Sequence, residues 1–356
     1  MLPSKIAKTG EIQTVLGPIM PDDLGITMTH EHLLMDIPVY ETHPEEASKS
    51  RFKTGSWNFE MISKGNELWS VNRNNLTLND ENEIIEQVLD YKYSGGNSLV
   101  DCTNYDLAQD PNGLTRISRA TGLNIIMGCG HYVPAAHPND IESKTKDDLT
   151  KRMVRDIVDG IGDTNIRPGI IGEIGNIWPI TEIQQTLLES AADAHKETGL
   201  PILIHPGSDD RSPLKIIDIL VNCDVAPEAI IMGHLDFAIQ YKSRETLDEL
   251  AQTGCFMEYD IFGFEESGLF VRGNYGELSN DHKRIDTIIF LLDKGYGNQL
   301  VVGQDVCLKR HQSKYGGKGY SHILKTIVPK MLNIGVSKSD VDNILINNPA
   351  NALQKR

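Results

Sequence analysis

The sequence lacks several features, and each absence narrows the range of possible functions. Its five cysteines are scattered along 356 residues with no CxxC pair, which predicts reduced thiols in a cytosolic protein rather than a disulfide framework. No run approaches the roughly 18 apolar residues of a membrane span, and the N-terminal segment has no apolar stretch typical of a secretory signal. We therefore predict a cytoplasmic protein without membrane association.

Positive charge is also scarce. The chain has 34 Lys and Arg against 50 Asp and Glu, which gives a formal net charge of −16. Such a surface repels a phosphate backbone, so nucleic-acid binding is not expected. A small anionic substrate would need a local cation, from a side chain or a metal ion, to enter a cleft in this protein.

What the sequence does contain is a regular alternation of short apolar runs with helical patterns. Continuous apolar runs of four to six residues suit parallel strands that are buried on both faces. The runs are residues 24–29, 98–102, 124–128, 169–174, 201–204, 229–232, 255–259 and 300–303.

Between these runs, apolar residues recur with helical spacing. Helices are predicted over residues 79–93, 181–198 and 244–253, the second opening with a capping box and ending at Gly199. The repeated β-α order predicts a single (β/α)8 TIM barrel domain over residues 1–356. Long βα-loops are expected after strand one, over residues 40–77, and after strand seven, over residues 262–281.

Six metal-binding types of side chain lie at the carboxyl ends of the predicted strands, which converge on one face of a barrel. They are His30 and His32 after strand one, Glu173 in strand four, His205 after strand five, His234 after strand six and Asp305 after strand eight. Each position alone is a weak signal. Their combination on five strand ends predicts a metal centre.

The chemistry of a two-metal site explains this set of side chains. Alternate residues of a strand point the same way, so His30 and His32 can reach one cation, while His205 and His234 hold a second. Glu173 can supply the anionic bridge that two neighbouring cations need. Asp305 is predicted to ligate one metal and to act catalytically by accepting the proton of the attacking water. This reading predicts a hydrolase whose nucleophile is a metal-bridging hydroxide.

Several segments resemble the phosphotriesterase family of the amidohydrolase superfamily. They are residues 27–33 (TMTHEHL), 172–175 (GEIG), 204–207 (IHPG) and 232–236 (MGHLD). Residues 169–181, 258–263 and 314–324 resemble the phosphotriesterase-related branch of that family more closely. The resemblance extends from about Gly10 to Gln354.

The resemblance implies a (β/α)8 barrel with two divalent metal ions, usually zinc. His30, His32 and Asp305 would ligate one ion, His205 and His234 the other, and Glu173 would bridge them. Phosphotriesterases proper use a carboxylated lysine as the bridge, so triester hydrolysis is not expected. The branch implies an amide hydrolase that cleaves N-acetyltaurine, and related N-acyl taurines or N-acyl amino acids, to taurine and acetate or the corresponding products.

An anionic amide substrate of this kind would need a cationic partner. Candidates for substrate binding are Arg211 in the loop after His205, Lys309 and Arg310 after Asp305, and Tyr132 after strand three, which could pack on the acyl group. Relatives in the superfamily also imply a homodimer. Two alternatives stay open: a lactonase or carboxylesterase with the same metal centre, and a non-catalytic binding protein on the same fold.

Overall fold

A computed structural model gives the fold of residues 6–236, 243–265, 269–271, 274–276 and 279–356. In chain order its strands are β1 (Ile12–Thr14), β2 (Gly17–Ile19), β3 (Thr27–Glu31), β4 (Met35–Asp36), β5 (Thr77–Leu78), β6 (Ser98–Asp101), β7 (Asn124–Met127), β8 (Ile171–Gly175), β9 (Ile202–His205), β10 (Ile230–Met232), β11 (Phe256–Tyr259), β12 (Leu269–Val271), β13 (Asn274–Gly276) and β14 (Leu300–Val302).

Eight of these strands form a parallel barrel, and they coincide with the eight predicted runs. Strands β3, β6 and β7 pair in one series, and β8, β9, β10, β11 and β14 pair in another. The first junction between the series is made by the Gly172 N–H, which donates to the Cys129 carbonyl at 2.7 Å. The second is made by the Thr29 hydroxyl, which donates to the Val302 carbonyl at 3.1 Å. These bonds close the sheet and confirm the predicted (β/α)8 barrel.

Helices lie between successive barrel strands and after the last of them. They are α1 (Ala47–Ser50), α2 (Phe59–Ile62), α3 (Gly65–Leu68), α4 (Glu81–Tyr93), α5 (Pro111–Thr121), α6 (Lys146–Asp159), α7 (Glu182–Thr198), α8 (Ser212–Asn222), α9 (Arg244–Gln252), α10 (Asp281–Asp293), α11 (Val328–Asn333), α12 (Lys338–Asp342) and α13 (Asn348–Leu353). The predicted capping box of α7 is present: Thr181 and Gln184 cap one another, and Gly199 ends the helix with φ 75°.

The core consists of two apolar layers on either side of the barrel wall. Val100, Ile126, Leu203 and Val301 belong to a cluster inside the barrel, and all four are fully buried. Their neighbours in sequence, such as Ile202, belong to the larger cluster between the strands and the surrounding helices. Because successive side chains of a strand point to opposite faces, each apolar run fills both layers.

Two long loops lie at the carboxyl ends of the strands, as predicted. Residues 40–77, between β3 and α4, contain the short helices α1 to α3. The second predicted loop, residues 262–281, includes the antiparallel pair β12 and β13, and residues 266–268, 272–273 and 277–278 of it lie outside the described part of the chain. Within the described residues, no helix combines the length and the apolar character needed to cross a membrane.

Candidate metal centre

All six predicted ligands meet at the carboxyl end of the barrel, around Glu173. Its Oε2 lies 3.1 Å from His205 Nδ1, 3.3 Å from His234 Nε2 and 3.7 Å from His30 Nε2. Its other oxygen, Oε1, lies 3.4 Å from His32 Nε2. One carboxylate therefore stands among four imidazoles that come from three different strand ends.

The sixth residue, Asp305, completes one side of the cluster. Its Oδ1 lies 3.3 Å from His32 Nε2. Ligand atoms of His30, His32 and Asp305 fall within 4.8 Å of one another, and so do those of Glu173, His205 and His234. These are the two groups that the sequence predicted, with the predicted bridging carboxylate in the second.

The cluster fits a bound cation because one of its buried nitrogen atoms lacks a hydrogen-bond partner. Among the described residues, His30 Nε2 is buried and has no hydrogen-bond partner, and His30 itself is 0% exposed. A buried polar atom left without a partner costs free energy. Imidazole nitrogens and carboxylate oxygens are the donors that zinc and similar ions prefer, so a divalent cation would satisfy this atom.

Burial and mutual hydrogen bonds shift the pKa values of the clustered carboxylates and imidazoles. Burial alone would raise the pKa of Glu173, but hydrogen bonds from His205, His234 and His32 outweigh it and hold the pKa well below its usual range. Burial lowers the pKa of His32, whereas hydrogen bonds to Asp305 and Glu173 raise it to a net value of about 9. Cations bound by these nitrogens would displace the protons.

A second layer of carboxylates holds the ligand rings, and sequence reasoning did not find it. Asp260 Oδ1 lies 2.8 Å from His234 Nδ1, and Asp260 Oδ2 lies 3.1 Å from His30 Nδ1. Glu258 Oε2 lies 3.0 Å from the same His30 nitrogen. Burial would raise the pKa of Asp260, but the charges of His234 and His30 outweigh it and hold the pKa far below its usual range. Such partners fix the tautomer and orientation of ligating imidazoles.

A signal for this layer was present in the sequence. Glu258 and Asp260 are two positions apart in and just after an apolar strand, β11, so they point to the same side. This spacing is the one that identified His30 and His32. The carboxylates were missed because a carboxylate that binds an imidazole can be recognised only when the strand beside it is known.

Asp236, two positions after His234, supports the backbone that follows β11 and does not cap the next helix, α9. Its carboxylate accepts hydrogen bonds from the Asp260 N–H at 3.3 Å, the Ile261 N–H at 3.0 Å and Arg284 Nε at 3.1 Å. Ser243 caps α9 instead. Asp236 thereby supports the backbone that carries Asp260.

The cluster lies at the floor of a cleft of about 1340 Å³, which is where the predicted substrate contacts can be placed. Tyr132 lines the cleft, with its ring centroid 5.2 Å from that of His205, and its hydroxyl lies 3.1 Å from that of Tyr40. Arg211 and Arg310 also line the cleft. Three of the four predicted contacts are therefore within reach of a bound molecule.

The cationic candidates differ in their surroundings. The Arg211 side chain is 70% exposed and forms two hydrogen bonds of 2.9 Å with the Asp209 carboxylate. Burial lowers the pKa of Arg310 to about 10, and its Nη1 donates to the Gly65 carbonyl at 3.0 Å. Lys309 is buried, lies 3.5 Å from Glu83 Oε1, and is not among the residues that line the cleft. The structure does not support a contact between Lys309 and substrate.

The comparisons with known proteins agree with this geometry. The family model described as "Phosphotriesterase family" matches residues 10–353. The chain belongs to the phosphotriesterase family. It is 39% identical over 349 residues to a phosphotriesterase-related protein of Nematostella vectensis, with 96% of this chain and 97% of the relative covered. It is 38% identical over 347 residues to an N-acetyltaurine hydrolase of Homo sapiens, with the same coverage.

The solved structures give the same fold. A resiniferatoxin-binding protein from Rhodobacter sphaeroides has a TM-score of 0.92 and 28% identity, covering 97% of this chain and 95% of that chain. Together with the curated relatives, this likeness confirms the predicted family and fold. The chain is a hydrolase of this family. Its histidine and carboxylate cluster lies at the carboxyl end of the barrel strands, where TIM-barrel enzymes place their active sites.

Proposed function

We propose that this protein binds two divalent cations, most suitably zinc, and hydrolyses the amide bond of N-acetyltaurine to give taurine and acetate. His30, His32 and Asp305 would hold one cation, and His205 and His234 the other. The observation that carries the proposal is the position of Glu173, whose two oxygens lie 3.1 to 3.7 Å from nitrogens of all four imidazoles.

The proposed mechanism assigns the proton transfers to Asp305. Two cations in this site would supply a Lewis acid and lower the pKa of a coordinated water. The Asp305 carboxylate lies beside His32 and lines the cleft. It takes the proton of the attacking water and delivers it to the amide nitrogen. An amine leaves readily only when it is protonated, so this transfer is needed for cleavage of the C–N bond.

Support for an N-acyl amino sulfonate comes from the relatives and from the cleft. Curated relatives at 36 to 39% identity include proteins named N-acetyltaurine hydrolase. Arg310 offers a cation in a largely buried position, where attraction to an anion is less screened than at the surface. We propose Arg310 as the partner of the sulfonate, ahead of Arg211, whose side chain is 70% exposed. Tyr132 would pack against the acetyl group.

The test combines metal analysis with a substrate panel. Purified protein is predicted to contain about two equivalents of transition metal per chain, and to release acetate from N-acetyltaurine. A panel of lactones and carboxylate esters serves as the comparison, because the same metal centre could open them. Rapid lactone opening without acetate release would reject the amide assignment. Binding of N-acetyltaurine without turnover, in protein loaded with two metals, would reject catalysis altogether.

We also propose a cytosolic location and a homodimeric state. All five cysteines are free in the structure, as expected of a protein from a reducing compartment. Sedimentation of the purified protein tests the dimer, and fractionation of cells that express it tests the location.

A further inference from the structure

Glu31 stands between the two ligands of the His-Glu-His segment, but its side chain turns away from them. It is fully buried at the end of β3. Its Oε1 accepts hydrogen bonds from the Gln304 N–H and from Gln304 Nε2, both at 2.9 Å. Its Oε2 accepts a hydrogen bond from the Val306 N–H at 3.1 Å. The carboxylate thus binds the backbone on both sides of Asp305.

The backbone amide of Asp305, between those of Gln304 and Val306, is also bound to β3. The Asp305 N–H donates to the His30 carbonyl at 3.1 Å. Three successive amides after β14 are therefore held by two successive residues of β3. The contact is close, since a β-carbon built on Gly303 would lie 2.7 Å from the His30 carbonyl oxygen.

Asp305 needs this support because its backbone is in an unfavourable conformation. Its φ is 46°, in the left-handed region that side chains with a β-carbon rarely adopt. Such a conformation is strained and persists only when the surrounding structure holds it. Glu31 accepts hydrogen bonds from the main-chain N–H groups on both sides of Asp305, so it is well placed to hold this conformation.

We infer that Glu31 is a positioning residue, which fixes Asp305 against the strand that carries His30 and His32 and so assembles one complete set of metal ligands. This inference rests on the metal centre proposed above. Glu31 touches neither metal nor substrate. It acts through the backbone of residues 304–306.

The experiment compares Glu31→Gln with Glu83→Gln. The Glu31 substitution keeps the shape of the side chain but turns an acceptor into an NH₂ group, which faces an N–H donor. Glu83 is an equally suitable carboxylate for the control. It is 6% exposed and holds the same loop through Lys314 Nζ at 2.6 Å and the Tyr315 hydroxyl at 2.7 Å, away from Asp305.

Zinc titration of the metal-free proteins is the first readout. In Glu31→Gln, the affinity for one of the two ions is expected to fall about 10- to 100-fold, which is typical for loss of a group that orients ligands. Affinity for the other ion should stay within about threefold of the wild-type value. Glu83→Gln is expected to bind both ions normally. In the loaded enzyme, Glu31→Gln should lower kcat and leave KM nearly unchanged.

Hydrogen–deuterium exchange of residues 303–307 is the second readout, and it needs neither metal nor substrate. Exchange should increase in Glu31→Gln and not in Glu83→Gln. Wild-type exchange and zinc affinity in Glu31→Gln would overturn the inference. If wild-type protein binds fewer than two ions, the proposed function fails, and the exchange comparison still decides whether Glu31 holds the Asp305 backbone.

A second variant covers the case in which Glu31→Gln does not fold. Glu31→Asp keeps the carboxyl group but is one methylene shorter, so it can reach only one of the two flanking amides. We expect a smaller loss of zinc affinity and a smaller increase in exchange. Unchanged values for this variant would also reject the positioning role.

Discussion

Asp260 binds His234 twice: one carboxylate oxygen accepts a hydrogen bond from the main-chain N–H at 2.8 Å, and the other lies 2.8 Å from the ring Nδ1. His234 has a φ of 52°. His234 is thus held both at its ring and at a strained point of its backbone. This arrangement leaves Nε2 directed at Glu173, 3.3 Å from Oε2.

Asp260→Asn is expected to weaken metal binding by about 10- to 100-fold, because the neutral amide no longer favours the correct tautomer of His234. Isothermal titration of the metal-free variant with zinc measures the effect. Asp286→Asn, on the exposed side of α10, provides a control in which the Asp side chain is 52% exposed. Equal zinc affinities in the two variants would contradict the role given to Asp260.

Asp305→Asn separates metal binding from proton transfer. The amide keeps one oxygen for the cation, so most of the bound metal should be retained, but it cannot accept a proton. We expect kcat for N-acetyltaurine to fall by about 10²- to 10⁴-fold, the range typical of general acid–base catalysis. Steady-state kinetics with metal analysis of the same sample provide the measurement. Turnover at the wild-type rate would rule out the proton transfer.

Arg310→Gln and Arg211→Gln compare the two cationic side chains of the cleft. Loss of a charge-assisted hydrogen bond costs about 1.5–3 kcal/mol, so Arg310→Gln should raise KM for N-acetyltaurine by about tenfold or more. A neutral N-acetyl amide should be affected much less. Arg211→Gln is expected to have a smaller effect, because the Arg211 side chain is 70% exposed and solvent screens its charge. A larger effect of Arg211→Gln would reverse this assignment.

Asp281 should make stability depend on pH in the acid range. It accepts hydrogen bonds from His322 Nε2 at 2.7 Å, Arg284 Nη1 at 2.8 Å and the Gly263 N–H at 2.9 Å. Burial would raise its pKa, but the hydrogen bonds from His322 and Gly263 and the charge of Arg284 hold the pKa well below its usual range. A lowered pKa stabilises the folded state above about pH 4 and ceases to do so as pH falls towards the folded value.

Asp281→Asn should therefore lower the free energy of unfolding by about 2–4 kcal/mol at pH 7, as expected for loss of a buried, hydrogen-bonded charge. The difference from wild type should shrink as the pH falls below about 4. Urea denaturation of both proteins at pH 7 and pH 3 measures it. A difference that stays constant over this range would show that the charge of Asp281 does not stabilise the fold.

The sequence carried enough information for the barrel and for the clustering of the six predicted ligands. Buried parallel strands appear as short apolar runs, and the ends of such strands must converge, so His30 and Asp305 could be placed together although they are far apart in the chain. Contacts between side chains of different strands leave no comparable pattern in the sequence. Asp260 and Glu31 were missed because their partners lie on neighbouring elements whose contacts only the structure shows.

The loop residues were harder to place for a related reason. Lys309 follows Asp305 closely, but a short helical turn over Lys309–His311 directs it to Glu83 on α4. The pairing of Arg211 with Asp209 is local and could have been foreseen from their spacing of two residues. Charged side chains in loops form ion pairs and hydrogen bonds with whichever groups the loop brings near. Because loop conformation is the least regular part of the fold, these partners are hard to predict.

The closure of the barrel has a consequence for how the protein is made. Glu31 and Gln304 are 273 positions apart in the sequence, so translation must deliver almost the entire polypeptide before its first and last barrel strands can meet. A nascent chain that presents His30 and His32 still lacks the third group of that set. If the proposed metal centre is correct, the ion held by His30, His32 and Asp305 can bind only after β14 has joined the barrel, whereas Glu173, His205 and His234 are available earlier in synthesis.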